Sequence, residues 1–159
     1  RAGDAHGIDP HLLYSVALVE SRHQTPDNRG YLQPWPYAIN VAGRGIYFEN
    51  LTDAVSGLET ITRQSPEENV DVGPLQISLT WHGDRVDDPA ALFDLSTAVH
   101  VGAAILSEAI ASAGGDLELG VGRYHHWRDE MRARTYGARV LAVYESINPR
   151  IEAEDLWYE

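Results

Sequence analysis

The chain contains no cysteine. Disulfides, thiolate metal sites and cysteine nucleophiles are therefore excluded. The compartment stays open, because exported proteins can lack cysteine too. Basic residues are scarce: 12 Lys+Arg stand against 24 Asp+Glu, a formal charge of −12. A nucleic-acid binder needs clustered Lys and Arg for its phosphate contacts, so this balance argues against one. No apolar run approaches the roughly 20 residues of a membrane helix. Also missing are a Gly-x-Ser-x-Gly elbow, a P-loop and a Gly-x-Gly-x-x-Gly turn after a strand. The fragment Gly43–Arg44–Gly45 suits a hairpin turn better.

What remains is 159 residues, 43% of them hydrophobic. That is enough for one domain with a core and too apolar for disorder. The chain opens on Arg1 rather than Met, so we expect a trimmed or processed product whose secretory signal has been removed. Residues Glu152 to Glu159 carry four acids and no base. The expected organisation is one domain over residues 1–149 and an acidic C-terminal tail over residues 150–159. Leu156 and Trp157 of that tail are apolar enough to dock on the body.

Periodicity predicts a mainly helical domain with a small β-hairpin insertion. Asp9 caps and Pro10 opens a first helix, since proline loses nothing at the first helical position. Leu13, Val16 and Ala17 line its inner face, and Glu20 continues that face. Arg22 to Gln33 reads as loop. The β-favouring runs Tyr37–Val41 and Ile46–Phe48, joined through residues 42–45, read as a hairpin. A helix from about Leu51 to Arg63 follows, with Ala54, Val55, Leu58 and Ile61 on one face. Ser65 to Pro74, broken by Asn69, Asp71, Gly73 and Pro74, reads as loop. Asp88–Pro89 caps a short turn over Ala90 to Phe93. Ser96 to Ala113 is a helix stopped by Gly114–Gly115. Asp116 caps another through Leu117, Val121 and Tyr124, and a last helix runs from about Ala133 to Ile147.

Glu20 is the most informative residue. Burying a carboxylate is costly, and burial raises its pKa. A carboxylic acid protonated near neutral pH is what general-acid catalysis needs. The plainer alternative is a helix-end Glu that turns to solvent or pairs with Arg22. Gly73–Pro74–Leu75–Gln76–Ile77 bends the chain and sets Gln76 between apolar neighbours, where its amide could bond a sugar hydroxyl or acetamido group; alternatively it satisfies nearby backbone. Tyr124–His125–His126–Trp127 could stack on sugars and orient a carboxyl, or simply be core. Two adjacent histidines on a helix point about 100° apart and make a poor metal pair. His6 and His11 read as surface residues.

Together these pieces resemble the soluble lytic transglycosylases, a lysozyme-like α+β family, over roughly Asp9 to Ile147. Leu12 to Ser21 is similar to the family's first catalytic helix with its Glu–Ser pair, here Glu20–Ser21. Gly73 to Ile77 resembles its Gly-Leu-Met-Gln-Ile motif, with Pro74 and Leu75 as departures. Gly115 through Tyr124 resembles the helix leading to its Ala-Tyr-Asn motif, with Arg123 and His125 flanking Tyr124, and Arg134 to Tyr144 its closing helix. Pro34–Trp35–Pro36, the hairpin and Asn69 to Gly73 resemble a branch found beside conjugation, pilus and secretion machines.

The resemblance implies cleavage of the β-1,4 bond between N-acetylmuramic acid and N-acetylglucosamine in peptidoglycan, in the periplasm or cell envelope. Glu20 would act as general acid, then as base on the muramic 6-hydroxyl, leaving a 1,6-anhydro sugar. Ser21, Gln76, Ile77, Tyr124 and His125 would contact substrate, and no metal or cofactor would be needed. Partners would be glycan strands and, in that branch, proteins of the envelope machine. A standard glycosidase needs two carboxylates, and Asp71, Asp53 and Glu49 are the candidates for a second. Two other readings stand beside this one: a lysozyme-like hydrolase of the same bond, and an inactive glycan-binding or assembly module.

Overall fold

A computed structural model of the chain describes residues 6–24, 32–147, 150–153 and 155–157. The protein is mainly helical with a small antiparallel β element, as its periodicity predicts. Residues 20–98 form one compact unit; residues 1–19 with 99–159 form another. Helices α1 (Pro10–Ser21) and α4 (Leu95–Ser112) contribute residues to both.

The unit of residues 20–98 carries all the β structure among the described residues. The pair β1 (Arg22–His23) and β2 (Gln33–Pro34) closes a stretch that sequence reading left as loop; the residues between 25 and 31 lie outside the described ones. A four-stranded sheet has the order β4-β3-β5-β6, from β3 (Ala38–Val41), β4 (Arg44–Tyr47), β5 (Val70–Val72) and β6 (Ile77–Ser78). The hairpin turn is tighter than expected. Only Ala42 and Gly43 form it, both at positive φ (50° and 84°), the conformation a two-residue turn needs to match strand twist. Arg44 and Gly45 belong to β4 instead.

Strand β5 corrects the loop expected over residues 65–74. Val70-Asp71-Val72 alternates buried, half-buried, buried, and β-branched residues suit a half-buried pleat. The flanking breakers Asn69 and Gly73 hid it. The sheet's inner face carries Ile39, Val41, Val70, Val72 and Ile77, all buried. Its other face carries the row Asn40, Asp71 and Ser78, opposite one another in register.

Helix α2 (Leu51–Gln64) is capped by Asn50, whose side chain accepts from Asp53 N, and buries Ala54 and Leu58. Short α3 (Leu79–His82) follows β6. A 3₁₀ turn over Pro89–Phe93 is capped by Asp88 Oδ1, which accepts from Ala90 N at 2.9 Å.

The other unit is helical. Asp9 Oδ1 accepts from His11 N at 2.8 Å, and Leu12, Leu13, Val16 and Ala17 of α1 are buried. Helix α4 is 18 residues long with mean hydropathy 1.3, long and apolar enough to cross a membrane; sequence reading had found no such run. Its Val101, Ala103, Ile105, Leu106 and Ala109 are buried within the protein, and 39% of the helix is buried in all.

Helices α5 (Leu117–Arg123) and α6 (Glu130–Ser146) pack very closely. A Cβ on Gly122 would lie 1.9 Å from Ala133 O, and one on Gly137 2.0 Å from Glu118 O. Asp116 caps α5 through Leu119 N (3.0 Å). Asp129 caps α6 through Arg132 N (3.0 Å), starting it three residues before the expected Ala133.

The tail docks. Leu156 is 4% exposed, Trp157 meets Tyr14 edge-on at 5.0 Å, and His11 Nε2 lies 2.9 Å from Ile151 O. His6 and His11, expected at the surface, are packed: His6 Nε2 is buried, and its ring lies 4.8 Å from that of His100.

Candidate functional site

Glu20 is the penultimate residue of α1 and half-buried. The inward stripe of Leu13 and Val16 thus reaches it only in part, because the helix ends one residue later. Ser21, which ends the helix, is 1% exposed. Its Oγ donates to Pro74 O at 2.7 Å and accepts from Trp35 N at 3.1 Å. Trp35 N also donates to Ser21 O at 3.1 Å. The end of the Glu20 helix is therefore tied both to the Gly73–Ile77 turn and to the strand pair that follows it.

Sequence reasoning had given Ser21 and Ile77 to substrate contact. Both are 1% exposed, which leaves little surface to offer a substrate: the Ser21 hydroxyl is bonded inside the protein, and Ile77 belongs to the core. Gly73 is fixed by its surroundings as well as its conformation. It has φ +83, and a Cβ there would lie 2.1 Å from Leu92 O, so no other residue fits.

Gln76 has φ +46, a left-handed conformation that is rare outside glycine. Ala42 shares that feature for an ordinary reason, since its turn requires it. At Gln76 the twist folds the side chain back, and Nε2 donates to Gly73 O (2.9 Å) and Ala38 O (3.2 Å). Half of the amide thus satisfies backbone, as the plainer reading held. Its Oε1 has no hydrogen bond among the described residues.

Of the three candidate second carboxylates, Asp71 is the one on the sheet. It is half-buried, and its Oδ1 accepts from Asn69 Nδ2 at 2.7 Å. Asn69 Oδ1 in turn accepts from Ser78 Oγ at 2.7 Å. These bonds fix the carboxylate's rotamer on the polar face of the sheet. Asp53 is committed to the α2 cap, where its Oδ2 accepts from Asn50 Nδ2 at 2.8 Å. Glu49 is exposed.

Sequence reasoning missed two aromatic features of this unit. His23 stacks on Tyr47 (4.3 Å between centroids, 8° between planes) and meets Trp35 at 5.4 Å. Trp35 Nε1 donates to Phe48 O at 2.7 Å. Trp81, five residues after Gln76, is 71% exposed. The sequence signal for Trp81 was only a tryptophan where a short helix could not bury it.

Tyr124 and His125 belong to the unit of residues 1–19 and 99–159. Tyr124 ends α5 and is half-buried. The His125 ring stacks on Tyr136 (5.0 Å, 16°) and lies 4.4 Å from His126. His126 has its pKa lowered by burial, then by the charges of His125 and Arg132. Among the described residues no group of three or more His, Cys, Asp or Glu could hold a metal ion.

In the same unit Asp9 is bonded by the Tyr144 hydroxyl and by the backbone and ring of His11. Burial pushes its pKa up, but the Tyr144 hydroxyl (2.6 Å) and the His11 backbone N–H bond its ionised form and lower it overall. The chain was compared with protein-family models, with curated proteins and with solved structures, and nothing matches in any of the three.

Proposed function

We propose that this protein is a peptidoglycan lytic transglycosylase of the cell envelope, with Glu20 as its catalytic acid and base. The observation that carries the reading is the buried Ser21 hydroxyl bonded to Pro74 O at 2.7 Å. It joins the end of the Glu20 helix to the turn that carries Gln76, two segments 53 residues apart in sequence. Strain supports it as well: a non-glycine residue at φ +46 costs on the order of 1–3 kcal/mol, and such strain concentrates at functional sites.

Glu20 protonates the glycosidic oxygen between muramic acid and glucosamine. Positive charge develops at the muramic C1, and the leaving sugar departs with its 4-hydroxyl restored. The Glu20 carboxylate then takes the proton of the muramic 6-hydroxyl, whose oxygen closes on C1. Water is not consumed. Gln76 Oε1 accepts from a sugar hydroxyl or acetamido N–H, and the exposed Trp81 indole offers a face for a sugar ring.

A second reading draws on Asp71. A carboxylate fixed by Asn69 on the sheet's polar face, next to the Gln76 turn, suits a two-carboxylate lysozyme-like hydrolase. Two variants assayed on purified sacculi separate the readings. Glu20→Gln abolishes cleavage in both. Asp71→Asn leaves most activity in the transglycosylase and removes it by about 100-fold or more in the hydrolase. Full cleavage by Glu20→Gln overturns both.

A further inference from the structure

Strand β4 is one edge of the four-stranded sheet, β6 being the other, and all four of its residues are exposed. Its backbone groups alternate in direction. The hairpin register and the Phe48 N to Tyr37 O bond turn the groups of Arg44 and Ile46 toward β3. The N–H and C=O of Gly45 and Tyr47 therefore point outward, and among the described residues they have no hydrogen bond. The strand is four residues long and carries one charge, Arg44, two features that limit pairing with other copies of the chain; among the described residues no proline or bulge interrupts it. The Tyr47 ring stacks on His23, three residues after Glu20, so the edge borders the chain that leaves the candidate catalytic helix.

Arg44 adds charge. It is exposed and has no ion pair among the described residues, in a chain whose formal charge is −12. An occupant of this edge therefore has a short extended stretch of peptide followed by a carboxylate.

We propose that the β4 edge binds the stem peptide that hangs from the muramic sugar, pairing its first residue with Gly45 and its first free carboxylate with Arg44. The stem begins with an L-alanine and continues with a glutamate joined through its side chain, which leaves the α-carboxylate free. Running antiparallel to β4, an L-alanine opposite Gly45 puts that carboxylate opposite Arg44. Edge pairing supplies affinity through main-chain bonds, and the guanidinium supplies selectivity. This site rests on the peptidoglycan reading above and names a further part of the same substrate.

The test uses muramic acid carrying L-alanyl-D-glutamate, with the α-carboxyl free in one probe and amidated in another. Neither contains a glycosidic bond to cleave. Titration followed by NMR should shift the amides of Gly45 and Tyr47, with the free acid binding about tenfold tighter than the amide. Arg44→Gln should erase that preference while leaving the spectrum folded, and Gly45→Pro, which removes the outward N–H, should weaken both probes. Failure of both probes to bind a protein that still cleaves peptide-stripped glycan overturns the stem site and leaves the transglycosylase standing. Equal binding of an unrelated L-peptide, or concentration-dependent self-association through β4, also overturns it.

Discussion

Replacing Ser21 with alanine tests how the candidate site is held together. Ser21 is 1% exposed, and its hydroxyl bonds Pro74 O and Trp35 N. One of them is duplicated, since Trp35 N also reaches Ser21 O. The other is not: removing Oγ leaves the buried Pro74 carbonyl without its 2.7 Å donor. An orphaned buried acceptor costs about 1–3 kcal/mol, and the missing oxygen leaves little cavity to add. For a chain of this length each kcal/mol lowers Tm by about 2–4 °C, so Ser21→Ala should melt about 2–12 °C lower. Urea unfolding followed by circular dichroism should show a lower midpoint with an unchanged m-value. Glycan turnover should fall further than stability explains, because the Glu20 helix end loses its tie to the Gln76 turn. Ser21→Cys should recover little, since a thiol donates weakly. An unchanged melting temperature and full turnover would refute the reasoning.

Three further outcomes follow from the other unit. Gly122→Ala places a methyl 1.9 Å from Ala133 O, and forcing α5 and α6 apart should cost about 3 kcal/mol or more, read by denaturant unfolding. Truncation after Arg150 removes the buried Leu156 and the Trp157 contact with Tyr14 and should cost about 2–4 kcal/mol by the same measurement. For pH, His126 has a folded pKa below its ordinary 6.5, so the unfolded chain binds its proton first and stability falls as pH drops below 6.5. Asp9 and Asp94, lowered from 3.8, add stability that is present above pH 3.8 and lost as pH falls further. His126→Asn should flatten the upper window in a melting series from pH 7.5 to 5 and leave the lower one.

The helices were legible because their ends are written in side chains. Asp9–Pro10, Asp88–Pro89 and Asp116 all cap where sequence predicted, and the hairpin appeared in the alternation of residues 37–48. The start of α6 was missed because its cap, Asp129, precedes a polar first turn with little apolar rhythm. Strands β1, β2, β5 and β6 were missed for a different reason. They are two or three residues long, so their stability comes from the strands they pair with. The site was half legible. Glu20 and Gln76 stood out as polar residues in apolar settings, whereas nothing in the sequence set Asp71 apart from Asp53 and Glu49. The bond of Ser21 to Pro74 did not stand out, because the two are 53 residues apart. The open edge of β4 became visible only with the strand order.

The chemistry of the ends left after sacculus digestion tests the central claim most directly. Mass spectrometry of the released muropeptides should find 1,6-anhydromuramic ends, all of which disappear with Glu20→Gln. Reducing muramic ends, each heavier by one water, would contradict the transglycosylase and assign the reaction to hydrolysis; intact sacculi after prolonged incubation with the wild-type protein would contradict enzymatic cleavage altogether.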